Sequence, residues 1–128
     1  MIASLRKAQQ ALASSRILLK EGDTEGACNR AYYAMFYAAH VALRATGAIE
    51  TGTVYKTHSG LISAFGRELV LTGAMPDRLG RALSKVHDMR LLGDYSGEAP
   101  VQALAQWAID EAEIFVAAIA EKFGGPDR

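Results

Sequence analysis

Residues 30–40 read RAYYAMFYAAH, and no glycine, proline or other turn-forming residue interrupts them. Asp23 precedes this stretch as a good helix N-cap, and Gly47 follows it as a stop signal. The sequence therefore predicts a helix from just after Asp23 to about Thr46. On a helical wheel of ~100° per residue, its apolar arc is wide, as in a helix packed against at least two partners. A central helix of this kind is the strongest constraint on the fold.

Apolar residues at helical spacing predict four further helices, and β-branched residues are too scattered to build strands. The first helix places Leu5, Ala8, Leu12, Ser15 and Leu19 on one stripe. The other four predicted helices run from about Ile2 to Glu21, Thr57 to Thr72, Pro76 to Leu92 or Asp94, and Pro100 to Phe123. We therefore predict an all-α, up-and-down antiparallel helical bundle of about five helices. It forms one domain over residues 1–128, with a loop at 47–56 and a frayed tail at 123–128.

Composition and charge exclude several classes of function. Fourteen Lys and Arg balance fourteen Asp and Glu, so any contact with nucleic acid must be a local patch. The single cysteine, Cys28, cannot form an intrachain disulfide, and it lies on an apolar face that favours a core position over a nucleophilic role. No apolar run approaches the ~20 residues that span a bilayer, and the N-terminus lacks a signal-peptide core. These features predict a soluble, cytoplasmic protein with no membrane contact.

One polar strip of the central helix combines aromatic and basic side chains. Its members recur at spacings of three and four residues: Arg30, Tyr33, Tyr37, His40 and Arg44. An ordinary solvated face explains such a strip, because tyrosine can pack its ring and leave its hydroxyl in water. A dimer interface is a second explanation. The third is a groove in which aromatic rings stack on bases and arginines hold phosphate.

The segment HDMRLLGDY, residues 87–95, places His87, Arg90 and Asp94 on one helical face, followed by Tyr95. An Arg90–Asp94 surface pair accounts for this spacing, although a phosphate-binding cation beside titratable groups is the chemical alternative.

The segment YKTHSGL, residues 55–61, places Lys56 and His58 at the start of the third helix, where free N–H groups attract anions. Helix capping by Thr57 or Ser59 is an alternative explanation for the same residues. The three histidines are too far apart in sequence to be read as metal ligands, and no phosphate loop or nucleophile elbow occurs. The sequence therefore indicates no metal and no cofactor.

Three segments, taken in order, resemble the HEPN domain family (higher eukaryotes and prokaryotes nucleotide-binding). They are NRAYYAMFYAA (29–39), KTHSGLISAFG (56–66) and MRLLGDY (89–95). The resemblance runs from about residue 3 to 123. It implies an up-and-down helical bundle, often a homodimer, encoded in prokaryotes beside a minimal nucleotidyltransferase. Many members are toxins of toxin–antitoxin pairs, and some are metal-independent endoribonucleases.

The active members of that family carry an arginine followed a few residues later by a histidine. Arg90 matches the arginine, whereas the histidine position is not matched, because Asp94 and Tyr95 stand there and His87 precedes the arginine. The resemblance therefore implies Arg90, Asp94 and Tyr95 as the catalytic candidates. The predicted nucleotide- or RNA-binding residues are Arg30, Tyr33, Lys56, His58 and His87. A non-catalytic nucleotide-binding or scaffold subunit, and a stand-alone helical-bundle dimer, remain the alternatives.

Overall fold

The computed structural model describes residues 4–50 and 53–124, except for the side chains of residues 93–96. Five α-helices account for most of these residues, and no strand occurs among them. The helices are α1 (Leu5–Lys20), α2 (Thr24–Ala45), α3 (His58–Phe65), α4 (Asp77–Ser96) and α5 (Gln102–Phe123). The predicted all-α helical bundle is confirmed.

Side-chain caps and left-handed glycines set several of the helix ends. Asp23 accepts a hydrogen bond from the backbone N–H of Gly26 at 2.8 Å, which confirms it as the N-cap of α2. Thr57 caps α3 in the same way. Gly47 has a φ of 81°, a conformation that other residues rarely adopt, and it follows the end of α2 as predicted. The loop from Gly47 to Thr57 therefore has fixed ends on α2 and α3.

The third helix differs from its predicted range. α3 ends at Phe65, and the chain continues as one π-helical turn, Gly66–Val70, in which the N–H of Leu71 bonds to the carbonyl of Gly66 at 2.9 Å. A π turn adds one residue to the helical repeat, so apolar spacing alone does not separate it from a continuous helix. Of the predicted termini, Ile2 and residues 125–128 lie outside the described part of the chain.

The α2 helix lies at the centre of the bundle, where it contacts each of the other four helices. Tyr32, Met35 and Leu43 on this helix are fully buried. Four alanines on one strip of α2 are also fully buried, and their small side chains allow the neighbouring helices to approach closely: Ala27, Ala31, Ala34 and Ala38. Burial raises the pKa of the Cys28 thiol to about 11, in keeping with the predicted core position. In the described ranges, no helix is long and apolar enough to cross a bilayer.

Candidate functional site

A buried tyrosine on α2 is the centre of the candidate site. The Tyr32 side chain has no solvent exposure, and its hydroxyl oxygen lies 2.7 Å from Nδ1 of His58. The ring centroid of Tyr32 lies 5.2 Å from that of His58 and 5.2 Å from that of His87. Two histidines from different helices therefore pack against one phenol ring.

Local structure brings the remaining groups to this ring. His58 is the first residue of α3 because Thr57 caps that helix. His87 and Arg90 are three residues apart on α4 and so share a face. The two imidazole centroids are 5.4 Å apart, and Cζ of Arg90 lies 5.3 Å from the centroid of Tyr32. We call Tyr32, His58, His87 and Arg90 the histidine cluster.

The cluster favours neutral imidazoles and a protonated phenol. Burial lowers the pKa of His58 below its ordinary value of 6.5, and the positive charges of Arg90 and of protonated His87 lower it further. Burial and Arg90 also lower the pKa of His87, against an opposing effect of Asp88. Burial raises the pKa of Tyr32 well above its ordinary value. The phenol therefore stays protonated, and its O–H can donate a hydrogen bond to Nδ1 of a neutral His58.

His40 lies outside this cluster and is a structural histidine. It is fully buried, with Nδ1 2.9 Å from the carbonyl oxygen of Phe36, while Nε2 accepts a hydrogen bond from the backbone N–H of Tyr55 at 3.0 Å. This pattern requires the neutral tautomer with the proton on Nδ1. Burial lowers the pKa of His40, and Arg44 lowers it further against the opposing effect of the Phe36 carbonyl. His40 thereby fixes the segment that leads into His58.

The predicted polar strip of α2 is divided by the fold. His40 is fully buried and Tyr37 is only 9% exposed, so a solvated face does not account for these two residues. The buried face of α2 extends into this strip because the loop before α3 covers it: the Tyr55 ring packs over His40 at a centroid distance of 5.8 Å. Arg30 and Tyr33 remain accessible in part, and Cζ of Arg30 lies 5.4 Å from the Tyr33 centroid.

Arg90 connects the histidine cluster to the rest of this face. Its Cζ lies 5.8 Å from the centroid of Tyr33, so Arg30 and Arg90 both contact the Tyr33 ring. The same two arginines line a pocket of about 340 Å³, together with Asn29 and the acidic residues Asp23 and Glu25. Of the residues predicted to bind nucleotide or RNA, the structure thus brings Arg30, Tyr33, His58 and His87 to Arg90.

Three predicted site residues are not part of this arrangement as described. Lys56 is exposed and lies two residues before His58. The side chains of Asp94 and Tyr95 are outside the described part of the structure, so their predicted catalytic roles stay predictions. No group of three or more His, Cys, Asp or Glu that could hold a metal ion occurs among the residues that the structure describes.

The helical pattern alone favours an ordinary core position for Tyr32 and does not indicate a role in a site. It is buried as expected, but its hydroxyl also holds His58. A buried tyrosine hydroxyl requires a hydrogen-bond partner, and that requirement was the available signal. The partner itself could not be identified, because 26 residues separate it from Tyr32 in the chain.

Similarity to known proteins covers almost the whole chain. The family model described as HEPN domain matches residues 1–122. A UPF0332 protein of Gloeobacter violaceus is 40% identical over 91 residues, which are 71% of this chain and 68% of that protein. A second UPF0332 protein, from Thermotoga maritima, is 35% identical over 116 residues, or 89% and 83% of the two chains. A protein of Methanocaldococcus jannaschii named putative toxin is 33% identical over 114 residues, covering 89% and 81%.

Proposed function

The chain belongs to the HEPN domain family, and we propose that it is a toxin-like component that binds RNA at the histidine cluster and cleaves it without a metal ion. The observation that carries this proposal is the convergence of His58, His87 and Arg90 on Tyr32. The histidine absent after Arg90 is replaced in space by one histidine from α3 and another from the preceding turn of α4. Asp94 and Tyr95 are therefore not required as the acid and base.

The two histidines suit the chemistry of RNA cleavage. A neutral imidazole takes the proton of the 2′-hydroxyl while O2′ attacks the adjacent phosphorus, and the bond from phosphorus to O5′ breaks. A protonated imidazole gives its proton to the departing O5′. The products are a 2′,3′-cyclic phosphate and a 5′-hydroxyl, the proton taken from O2′ is matched by the proton given to O5′, and the step needs no water, oxidant or cofactor. Two imidazoles with centroids 5.4 Å apart can serve both ends of one phosphodiester.

Arg90 and Tyr32 complete the proposed site. The guanidinium of Arg90 presents several N–H donors that can stabilise the added charge on the phosphorane oxygens. Tyr32 fixes the ring of His58 in both protonation states, because its hydroxyl donates to a bare Nδ1 and accepts from a protonated one. Arg90 thus binds the phosphate, whereas Tyr32 is a positioning residue.

The proposal extends to assembly and partners. As in the family it belongs to, we expect a homodimer and a minimal nucleotidyltransferase partner, together forming a cytoplasmic two-component module of the toxin–antitoxin kind. The relative named putative toxin supports the toxin-like role. Co-expression of the chain with the nucleotidyltransferase encoded beside it tests the partnership. A complex that survives size-exclusion chromatography is expected, and separate elution of the two chains would contradict it.

Cleavage is tested with end-labelled oligoribonucleotides in the presence of a chelator. We expect wild type to produce cyclic-phosphate ends, and His58→Gln and His87→Gln to lose ~10²-fold or more in rate. Arg90→Lys should weaken binding, because lysine cannot form two parallel bonds to one phosphate. The matched control is Arg81→Lys, since Arg81 lies on the same helix but is exposed and pairs with Asp77. An oligodeoxyribonucleotide, which lacks the 2′-hydroxyl, should bind and remain intact.

The outcomes separate the alternatives. Cleavage that persists in both histidine variants would place the chemistry on other residues. Binding that depends on Arg90 but leads to no cleavage by wild type would identify the non-catalytic scaffold instead. Equal affinity of wild type and Arg90→Lys would remove Arg90 from the binding site.

A further inference from the structure

A groove between α1 and α2 lies outside the histidine cluster. It has a volume of about 550 Å³, and its walls include Lys7, Gln10 and Ser14 of α1 together with Arg30 and Tyr37 of α2. Among the described residues that line the groove, Lys7 and Arg30 are charged, and no lining residue is acidic. The groove is therefore a local basic patch on a chain with no net charge.

A series of neighbouring aromatic rings and cationic side chains leads from this groove to the histidine cluster. Nζ of Lys7 lies 6.0 Å from the centroid of Tyr37, and the Tyr37 and Tyr33 centroids are 6.1 Å apart. Tyr33 in turn lies 5.8 Å from Cζ of Arg90. Arg30 contributes to the groove and also to the neighbouring pocket that includes Arg90. One face thus runs from Lys7 to the proposed cleavage site.

From this continuity we infer that the groove binds the RNA strand beyond the cleaved phosphate, with Lys7 and Arg30 as phosphate contacts. The inference rests on the proposed function, and it names the substrate class as single-stranded RNA of several nucleotides. A mononucleotide could fill the cluster without reaching Lys7. The α1 wall from Lys7 to Ile17 measures ~15 Å at the helical rise of ~1.5 Å per residue, which gives room for more than one nucleotide.

The side chains favour a single strand over a duplex. The partly exposed ring of Tyr33 offers a stacking surface to an unpaired base, while the bases of a duplex are already stacked on one another. Lysine and arginine bind the backbone whatever the sequence. An acidic peptide would satisfy the two cations but has no flat bases to place on Tyr33, so RNA is the occupant that uses both kinds of side chain.

The test is fluorescence anisotropy with labelled 2′-O-methyl oligoribonucleotides, which cannot be cleaved through the 2′-oxygen. Wild type should bind an octanucleotide at least tenfold more tightly than a dinucleotide. Lys7→Ala should weaken octanucleotide binding several-fold, leave dinucleotide binding unchanged, and reduce the slope of log affinity against log salt by ~0.7. Arg6→Ala is the matched control, because Arg6 is the exposed neighbouring cation and does not line the groove. It should behave as wild type.

Failure of this inference is distinguishable from failure of the proposed function. Equal affinity for the two lengths, or equal effects of Lys7→Ala and Arg6→Ala, would overturn the groove even if wild type cleaves RNA. Length-dependent binding that needs Lys7, in a protein that cleaves nothing, would retain the groove and reject catalysis. Absence of octanucleotide binding would also overturn the groove, while the cleavage assay with unmodified RNA would still decide the function.

Discussion

The hydroxyl of Tyr32 lies 2.7 Å from Nδ1 of His58, and this contact joins the centre of α2 to the first residue of α3. It connects a fully buried side chain to one that is partly exposed. The hydrogen bond to Tyr32 engages Nδ1 of His58, so Nε2 is the ring nitrogen that remains for a substrate. A core residue thereby orients a proposed catalytic residue.

Replacing Tyr32 with phenylalanine should separate orientation from packing. Tyr32→Phe keeps the ring among its neighbours but leaves Nδ1 of His58 without the phenol, at a cost of ~1 kcal/mol in unfolding free energy. We expect kcat for RNA cleavage to fall ~10-fold or more, since the imidazole loses its fixed orientation, while affinity for uncleavable RNA changes little. Chemical denaturation, anisotropy and cleavage kinetics measure the three quantities. A variant with unchanged kcat would show that the phenol does not position His58 for catalysis.

Cleavage should depend on pH in a bell-shaped manner. The proposed mechanism needs one neutral and one protonated imidazole, and the pKa values of His58 and His87 are both lowered from 6.5. The singly protonated pair is therefore most populated on the acidic side of 6.5, and kcat/KM should peak there. The measurement is kcat/KM across the acidic and neutral range. A rate that increases steadily through neutral pH would contradict the two-histidine mechanism.

The main features of the fold follow from local patterns in the sequence. Asp23, Thr57 and Gly47 act over a few residues, so their effects on helix ends could be read directly from their neighbours. The π turn at Gly66–Val70 could not, because it changes the hydrogen-bond register without changing which residues are apolar. The sequence therefore predicts where helices occur, but it does not predict a local change of hydrogen-bond register such as this π turn.

The site depends on contacts between distant parts of the chain. His87 and Arg90 could be paired from their spacing on one helix, whereas His58 reaches them only because α3 and α4 pack on the same part of α2. His40 shows the opposite error, since its spacing placed it with Arg30 and Tyr33 but tertiary packing buried it. Helical periodicity gives the direction of a side chain around its own axis. It does not give the element that covers that direction.

An exposed apolar patch at the α4–α5 groove is our candidate for the homodimer contact. Leu104 is 48% exposed and shares the groove with Trp107 and Met89, which is adjacent to Arg90. In an isologous contact one substitution acts twice, so Leu104→Glu should shift the protein toward monomer. Leu71→Glu is the control, because Leu71 is 82% exposed and lies after the π turn. Sedimentation velocity at several dilutions measures the shift, and equal profiles for the two variants would reject this face.

The hydrogen bonds of His40 predict that acid destabilises the fold. In the folded state Nε2 accepts from Tyr55 and burial lowers the pKa below 6.5, whereas in the unfolded chain the imidazole titrates near 6.5. The unfolded state therefore binds more protons at His40 as the pH falls below about 6.5, and the free energy of unfolding decreases there. Above neutral pH both states are neutral, and His40 adds no pH dependence.

Two substitutions distinguish this bond from general packing. In His40→Gln the amide oxygen can still accept from the N–H of Tyr55, whereas the shorter side chain of His40→Asn remains near the carbonyl of Phe36. We expect His40→Asn to lose ~1–3 kcal/mol more than His40→Gln at neutral pH, since it leaves the Tyr55 N–H without its acceptor. The stability gap between wild type and His40→Gln should narrow as the pH falls below about 6.5, because only wild type must keep a neutral imidazole there. Urea denaturation of the three proteins at a series of pH values measures both effects, and a gap that stays constant with pH would mean that His40 does not titrate as its buried position requires.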